Sequence, residues 1–192
     1  MSYKRFAAAL VVLLAVTATA HAQSVRSAGE GGATLADRIQ AGDHAAALAM
    51  IAKGIEINQT QPDGTTPLHW AVYRVDRELV AALLKKGARA HAVNQYGASP
   101  LAEAVRIGNL EMTGMLLEAG AEANVANEDG QTALMLAART GNVAVAKLLV
   151  QHGADVNKRE SYRDQSALMW AAAQGHADMV AFLVAQKADL TA

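Results

Sequence analysis

The stretch Gly64-Thr65-Thr66-Pro67-Leu68-His69-Trp70-Ala71 opens a pattern that returns three more times down the chain. Leu68, Leu101, Leu134 and Leu168 step by 33, 33 and 34 residues, and Gly54, Gly87, Gly120 and Gly153 step by 33 each time. One period held over four registers marks a stacked array, because a unit of this size cannot bury its apolar face alone. Each unit reads as two short helices. The first opens at Thr66-Pro67, Ser99-Pro100, Thr132-Ala133 and Ser166-Ala167. There a hydroxyl can accept an orphan backbone N–H, and proline suits the first turn. The second carries Val80, Leu83 and Leu84, then Met112, Met115 and Leu116, then Val145, Leu148 and Leu149, an i, i+3, i+4 stripe that faces its neighbours. The glycine that follows can enter the left-handed region and end the helix. Asp63-Gly64, Gly97 and Asp129-Gly130 supply turn chemistry for a hairpin tip between units.

The run from Gly64 to Ala71 resembles the T-P-L-H-x-A signature of ankyrin repeats, and Gly153-Ala154-Asp155-Val156-Asn157 resembles that family's G-A-D-V-N segment. The resemblance extends over Leu35 to Ala192. It implies an all-α solenoid of stacked helix-turn-helix units with short β-hairpin loops: a degenerate N-terminal unit at 34–64, repeats at 65–97, 98–130 and 131–164, and a partial or uncapped unit at 165–192. The degenerate unit keeps Gly42-Asp43, Gly54 and Ile57-Asn58 in register without the signature, as a cap with a more polar outer face does. Members of the family mostly bind other proteins through the hairpin tips and the exposed side of the first helices. Carried over position by position, the partner-binding residues are Asn94, Gln95 and Tyr96 on one tip, Asn127, Glu128 and Asp129 on the next, and Glu160, Tyr162 and Arg163 on the last. Tyr73, Arg106 and Arg139 join them from the first helices. Tyrosine and arginine suit this role because they bring rigid area together with hydrogen bonding.

Departures from the repeat mark individuality. Val75 stands where Gly108, Gly141 and Gly175 turn the chain between the helices of later units, so that turn is expected to be strained. Lys187 replaces the terminating glycine of the last helix, and one extra residue lies within Lys158 to Asp164. Glu103 shares an inner-helix column with Trp70, Leu136 and Trp170, which implies that the column is only partly buried. The last helix is an unrelieved apolar run through Met179, Val180, Phe182, Leu183 and Val184. It reads as a fragment of a longer array or as a face covered by a partner or a second copy.

Composition removes several classes of function. There is no cysteine, the aromatic content is 4% and the net charge is −1, so disulfide scaffolds, thiolate zinc sites and strongly basic nucleic-acid binders are excluded. Alanine accounts for 44 of 192 residues, which favours closely spaced helices. Lys4 and Arg5 precede an apolar run from Phe6 to Val16, and Ala20-His21-Ala22 fits signal-peptidase cleavage. Residues 1–22 therefore read as a cleavable Sec signal peptide and 23–33 as a flexible linker, with a periplasmic or secreted destination and no membrane span after cleavage. No catalytic, cofactor or metal residue is assigned. His69 and His176 sit at stock hydrogen-bonding positions of the repeat, and His44, His91 and His152 are dispersed without metal-ligand spacing. Asn58-Gln59-Thr60 formally matches a glycosylation acceptor. The expected function is an exported adaptor that binds a protein. The alternative is a regulatory domain of a longer enzyme or receptor.

Overall fold

The computed structural model describes residues 32–191; the segment 1–22 expected to be a signal peptide and most of the expected linker at 23–33 lie outside them. Ten helices follow in pairs: α1 Leu35–Ala41 and α2 His44–Ala52, α3 Pro67–Tyr73 and α4 Arg77–Lys85, α5 Pro100–Ile107 and α6 Leu110–Glu118, α7 Ala133–Thr140 and α8 Val143–Gln151, α9 Ala167–Ala173 and α10 Ala177–Ala185. Odd-numbered helices are the inner row and even-numbered helices the outer row. Among the described residues there is no strand, and two of the tips are closed by a single antiparallel bridge each, Ala126 to Thr132 and Arg159 to Ser166. The exposed positions of α2 in the leading unit are Ala45, Ala49 and Ala52, small rather than polar.

Side-chain caps place the helix starts. Thr66, Ser99, Thr132 and Ser166 accept the backbone N–H of His69, Ala102, Met135 and Met169 on the inner row. On the outer row Asp43, Asp76, Asn109 and Asn142 cap in the same way, whereas His176 makes no side-chain cap. Each such cap contributes about 1 kcal/mol. The turn between the two helices needs a left-handed residue. Gly108 and Gly141 supply it at φ 76° and 70°, but Val75 is forced there at φ 56° and Lys187 closes α10 at φ 64°.

The core runs as continuous columns through the array. Ala71, Ala104, Ala137 and Ala171 are fully buried in the inner row, next to Leu68, Leu101, Leu134 and Leu168. The outer row buries larger groups, Leu79, Met112, Val145 and Met179, then Leu83, Leu116, Leu149 and Leu183. Successive inner helices accordingly pack more closely than successive outer ones, and the inner face is the concave one.

Hydrogen bonds stitch one unit to the next. The Asn58 amide donates to the Gly87 carbonyl and its oxygen accepts from Arg89 N–H. Asn124 repeats the clasp on Gly153 and Asp155, and Asn157 repeats it on Lys187 and Asp189. Because the Asn58 side chain is committed to this clasp, a glycan there would break it. His91 occupies the same register between the second and third units and forms no such clasp. Nearer the tips, buried His69 accepts the Thr66 N–H at Nδ1, so Nε2 carries the proton and donates to the Ala98 carbonyl at 3.0 Å. Burial holds its pKa below the ordinary value. At the surface, His44 lies 2.6 Å from Asp76 and 3.3 Å from Glu78, joining the leading unit to the first full repeat. The hydrogen bond to Asp76 holds the His44 imidazole above its ordinary pKa, with Glu78 adding to the effect.

Val75 is half exposed, so exchanging it for glycine gives up little burial and relieves a β-branched residue in the left-handed region. That strain is about 1–2 kcal/mol, against about 0.5–1 kcal/mol for the added freedom of glycine in the unfolded chain. Val75→Gly should therefore raise the thermal midpoint by about 2 °C, and a lowered midpoint would contradict the strain. His91→Asn should complete the clasp row by bonding the Gly120 carbonyl and the Glu122 N–H, gaining about 1 kcal/mol; chemical denaturation midpoints measure this. The two histidines pull stability in opposite directions with pH. His44, with its raised folded pKa, contributes fully below the unfolded value of about 6.5 and loses the contribution as pH rises through the folded value, whereas His69 contributes above about 6.5 and loses it on acidification. His44→Gln should lower the midpoint at about pH 5.5 and leave it unchanged at about pH 8.5, with equal losses at both values counting against the contact.

Candidate interaction surface

The repeat period lines up side chains on the inner face. Trp70, Glu103, Leu136 and Trp170 form one half-buried column, and Tyr73, Arg106 and Arg139 form the next, one helical turn on. The Tyr73 ring meets Trp70 edge-on with centroids 5.7 Å apart. Arg106 donates to both Glu103 oxygens, Nε at 2.7 Å and Nη2 at 2.5 Å, which raises its pKa further. The Arg139 guanidinium lies 5.6 Å over the Trp170 ring. Burial, and then the like charge of Arg106, lower the Arg139 pKa. Two arginines from adjacent repeats therefore feel each other across this face.

The two tryptophans differ in their polar end. Trp70 Nε1–H donates to Gln61 Oε1 at 2.8 Å. Trp170 Nε1 is buried and has no partner among the described residues, a cost of about 1–3 kcal/mol. Glu160 stands at the register of Gln61 but turns away, and this changes its assignment as a partner-binding residue. It is 5% exposed, and its carboxylate accepts the N–H groups of Tyr162, Arg163 and Gln165. Those contacts close the longer loop, where Asp164 takes the left-handed position at φ 56°. Glu160 therefore shapes the tip and presents nothing outward.

Asn94 and Asn127 are likewise turn formers. The Asn94 oxygen accepts from Tyr96 and Ala98 N–H, and that of Asn127 accepts from Asp129 and Gln131 N–H. What the tips do expose includes Gln95, Tyr96, Glu128, Asp129, Tyr162 and Arg163, with Tyr162 76% exposed. Arg163 lies 5.6 Å over the Tyr162 ring. Backbone bonds from Gln95 N–H to the Asp63 carbonyl and from Ser161 N–H to the Asp129 carbonyl tie the tips together in two pairs. The inner face also carries Trp70, Glu103 and Trp170, which lie outside the sequence-based set of candidate residues. The signal for them was the polar Glu103 in a column otherwise occupied by large apolar groups.

No group of His, Asp and Glu among the described residues has the arrangement of a metal site, and no described helix is long and apolar enough to cross a membrane. His176 Nε2 reaches the Arg139 carbonyl at 3.0 Å, a structural tie between repeats. On the last unit Val184 and Leu190 are 42% and 70% exposed.

A search of curated proteins finds no match. The family model described as ankyrin repeats, three copies, matches residues 35–127 and again 115–192. With the period, the capped helix pairs and the columns of buried alanine and leucine all in agreement with that match, the chain belongs to the ankyrin repeat family.

Proposed function

We propose that the protein is an exported, non-enzymatic adaptor that holds a protein partner against its inner face and tips. Ankyrin repeats generally mediate contacts between proteins, and the observation that carries the reading here is the placement of the aromatic and arginine side chains. Tyr73, Tyr96, Arg106, Arg139 and Tyr162 all lie on the inner helices or the tips. The backbone beneath them is fixed by caps and inter-repeat bonds, so little order remains to be imposed on binding. Export is supported by Lys4 and Arg5 before the Phe6–Val16 apolar run and by the Ala20-His21-Ala22 cleavage pattern.

Cross-linking in the producing cells, read by mass spectrometry, should return one dominant protein partner joined to a chain that begins near Gln23. Replacing Tyr96 and Tyr162 together by alanine should cut the yield of that partner about tenfold, since exposed tyrosines at an interface centre are common hot spots. An unchanged yield sinks the binding mode, and an intact Met1 on the cross-linked chain sinks export.

A further inference from the structure

We infer that the hairpin tips receive a proline-rich segment of the protein partner in the polyproline II conformation, with prolines against Tyr96 and Tyr162 and a basic side chain between them on Glu128 and Asp129. This rests on the protein-binding reading and assigns the chemistry of its tip edge. Tyr96, Asp129 and Tyr162 stand 33 residues apart and take the same place in three successive tips. In each tip the N–H of this residue donates to the side chain two residues before it: Tyr96 to Asn94 at 3.0 Å, Asp129 to Asn127 at 3.1 Å and Tyr162 to Glu160 at 2.6 Å. The tips also pack backbone against backbone. A Cβ added to Gly97 would lie 3.1 Å from the Asn127 Cα and the Glu128 nitrogen, and one added to Gly130 would lie 2.9 Å from the Ser161 nitrogen. Ser161 N–H donates to the Asp129 carbonyl at 2.8 Å. The column of tyrosine, carboxylate and tyrosine is therefore set on a closely stacked backbone.

The spacing of that column selects the conformation of its partner. Successive repeats stack about 10 Å apart. A polyproline II helix turns once in three residues and rises about 9 Å per turn, so positions i, i+3 and i+6 face one side at nearly that step. A β-segment puts residues three apart on opposite faces and needs a free backbone edge. Here the N–H groups of Gln95, Tyr96, Asp129, Ser161 and Tyr162 are already engaged, whereas polyproline II needs no ladder. Tyr96 and Tyr162, 51% and 76% exposed, offer aromatic area on which proline packs. Between them the exposed Glu128 and Asp129 carboxylates form no ion pair among the described residues. Arg163 lies 5.6 Å over the Tyr162 ring, and its charge disfavours a second cation there. The complementary segment is therefore proline at both flanks and basic at the centre, where a guanidinium can serve two carboxylates at once.

The probe is a dye-labelled, blocked heptapeptide, Pro-Ala-Pro-Arg-Pro-Ala-Pro, titrated with the full chain and followed by fluorescence anisotropy. One control replaces its arginine by glutamine. A second inserts an alanine on each side of the arginine, which turns the flanking prolines away from the tyrosines. The arginine peptide should bind about tenfold more tightly than the glutamine peptide, with a preference that shrinks as salt rises, and more tightly than the spaced peptide. Glu128→Gln combined with Asp129→Asn should abolish the preference for arginine at an unchanged unfolding midpoint. Tyr96→Ala should weaken the arginine and glutamine peptides alike. Equal binding of those two peptides overturns the acidic seat, and equal binding of the spaced peptide overturns the polyproline register; in both cases the protein-binding reading stands. An anisotropy that responds to none of the three overturns the whole assignment, and the cross-linked partner then decides the broader reading by itself.

Discussion

The fully buried alanines at 71, 104, 137 and 171 set the spacing on which the rest of the structure depends. A methyl group at each of these positions lets successive inner helices approach closely, while leucine, methionine and valine hold the outer helices apart. Volume differences of this kind, repeated at one period, generate the concavity without any residue dedicated to bending. They also fix the lateral register of the inner face, so that Trp70, Glu103, Leu136 and Trp170 become neighbours although they are 33 or 34 residues apart in sequence. A larger side chain at any one alanine would push two helices apart and misalign the columns on both sides, because close-packed interiors transmit such strain.

Cohesion between units is supplied twice, by burial and by directional bonds, and the two are unevenly distributed. The asparagine clasps lie on the loops opposite the tips, and the His69 bond to Ala98 lies beneath the tips. Where a junction lacks one of these, it keeps only the other. Met135 occupies the His69 register with only a weak sulfur contact to Thr132, and His91 leaves its junction without a clasp. In a nearly one-dimensional array the weakest junction governs where the chain opens first, and the boundary between the second and third units has the fewest directional bonds of this kind. The strained Val75 turn lies within the second unit itself, so the two local weaknesses are adjacent along the array.

Much of the architecture was legible in the residues because it rests on local chemistry. A hydroxyl three residues before a capped N–H, a glycine at a left-handed turn and an apolar stripe at helical spacing each act within one unit, and the period multiplies them. The exposed surface of the tips was less legible for the same reason. Asn94, Asn127 and Glu160 look like exposed polar tip residues in sequence, yet a short polar side chain at a turn finds its best partners in its own backbone. Glu160 does so because the extra residue of its loop presents three N–H groups to one carboxylate. Conversely, the single Glu103 was enough to mark the column of Trp70, Leu136 and Trp170 as only partly buried, and all four side chains are half-buried on the inner face.

The partly buried polar groups on the inner face show what this arrangement costs the isolated protein. Glu103 takes a place where neighbouring repeats carry tryptophan or leucine, Arg139 is desolvated beside a like charge, and Trp170 buries an unpaired N–H. A leucine at position 103 would extend the apolar column, and a shorter residue at 139 would avoid the desolvation of its cation. Folding physics alone would smooth such a column, since a buried ion pair seldom outperforms apolar packing of the same volume. Their concentration on the concave face sets it apart from the outer helices, where exposed ion pairs such as Arg77 with Glu111 are screened by water. In such a site the cost is already present before binding, so a complementary group gains more from entering it than it would from the same contacts on an open surface.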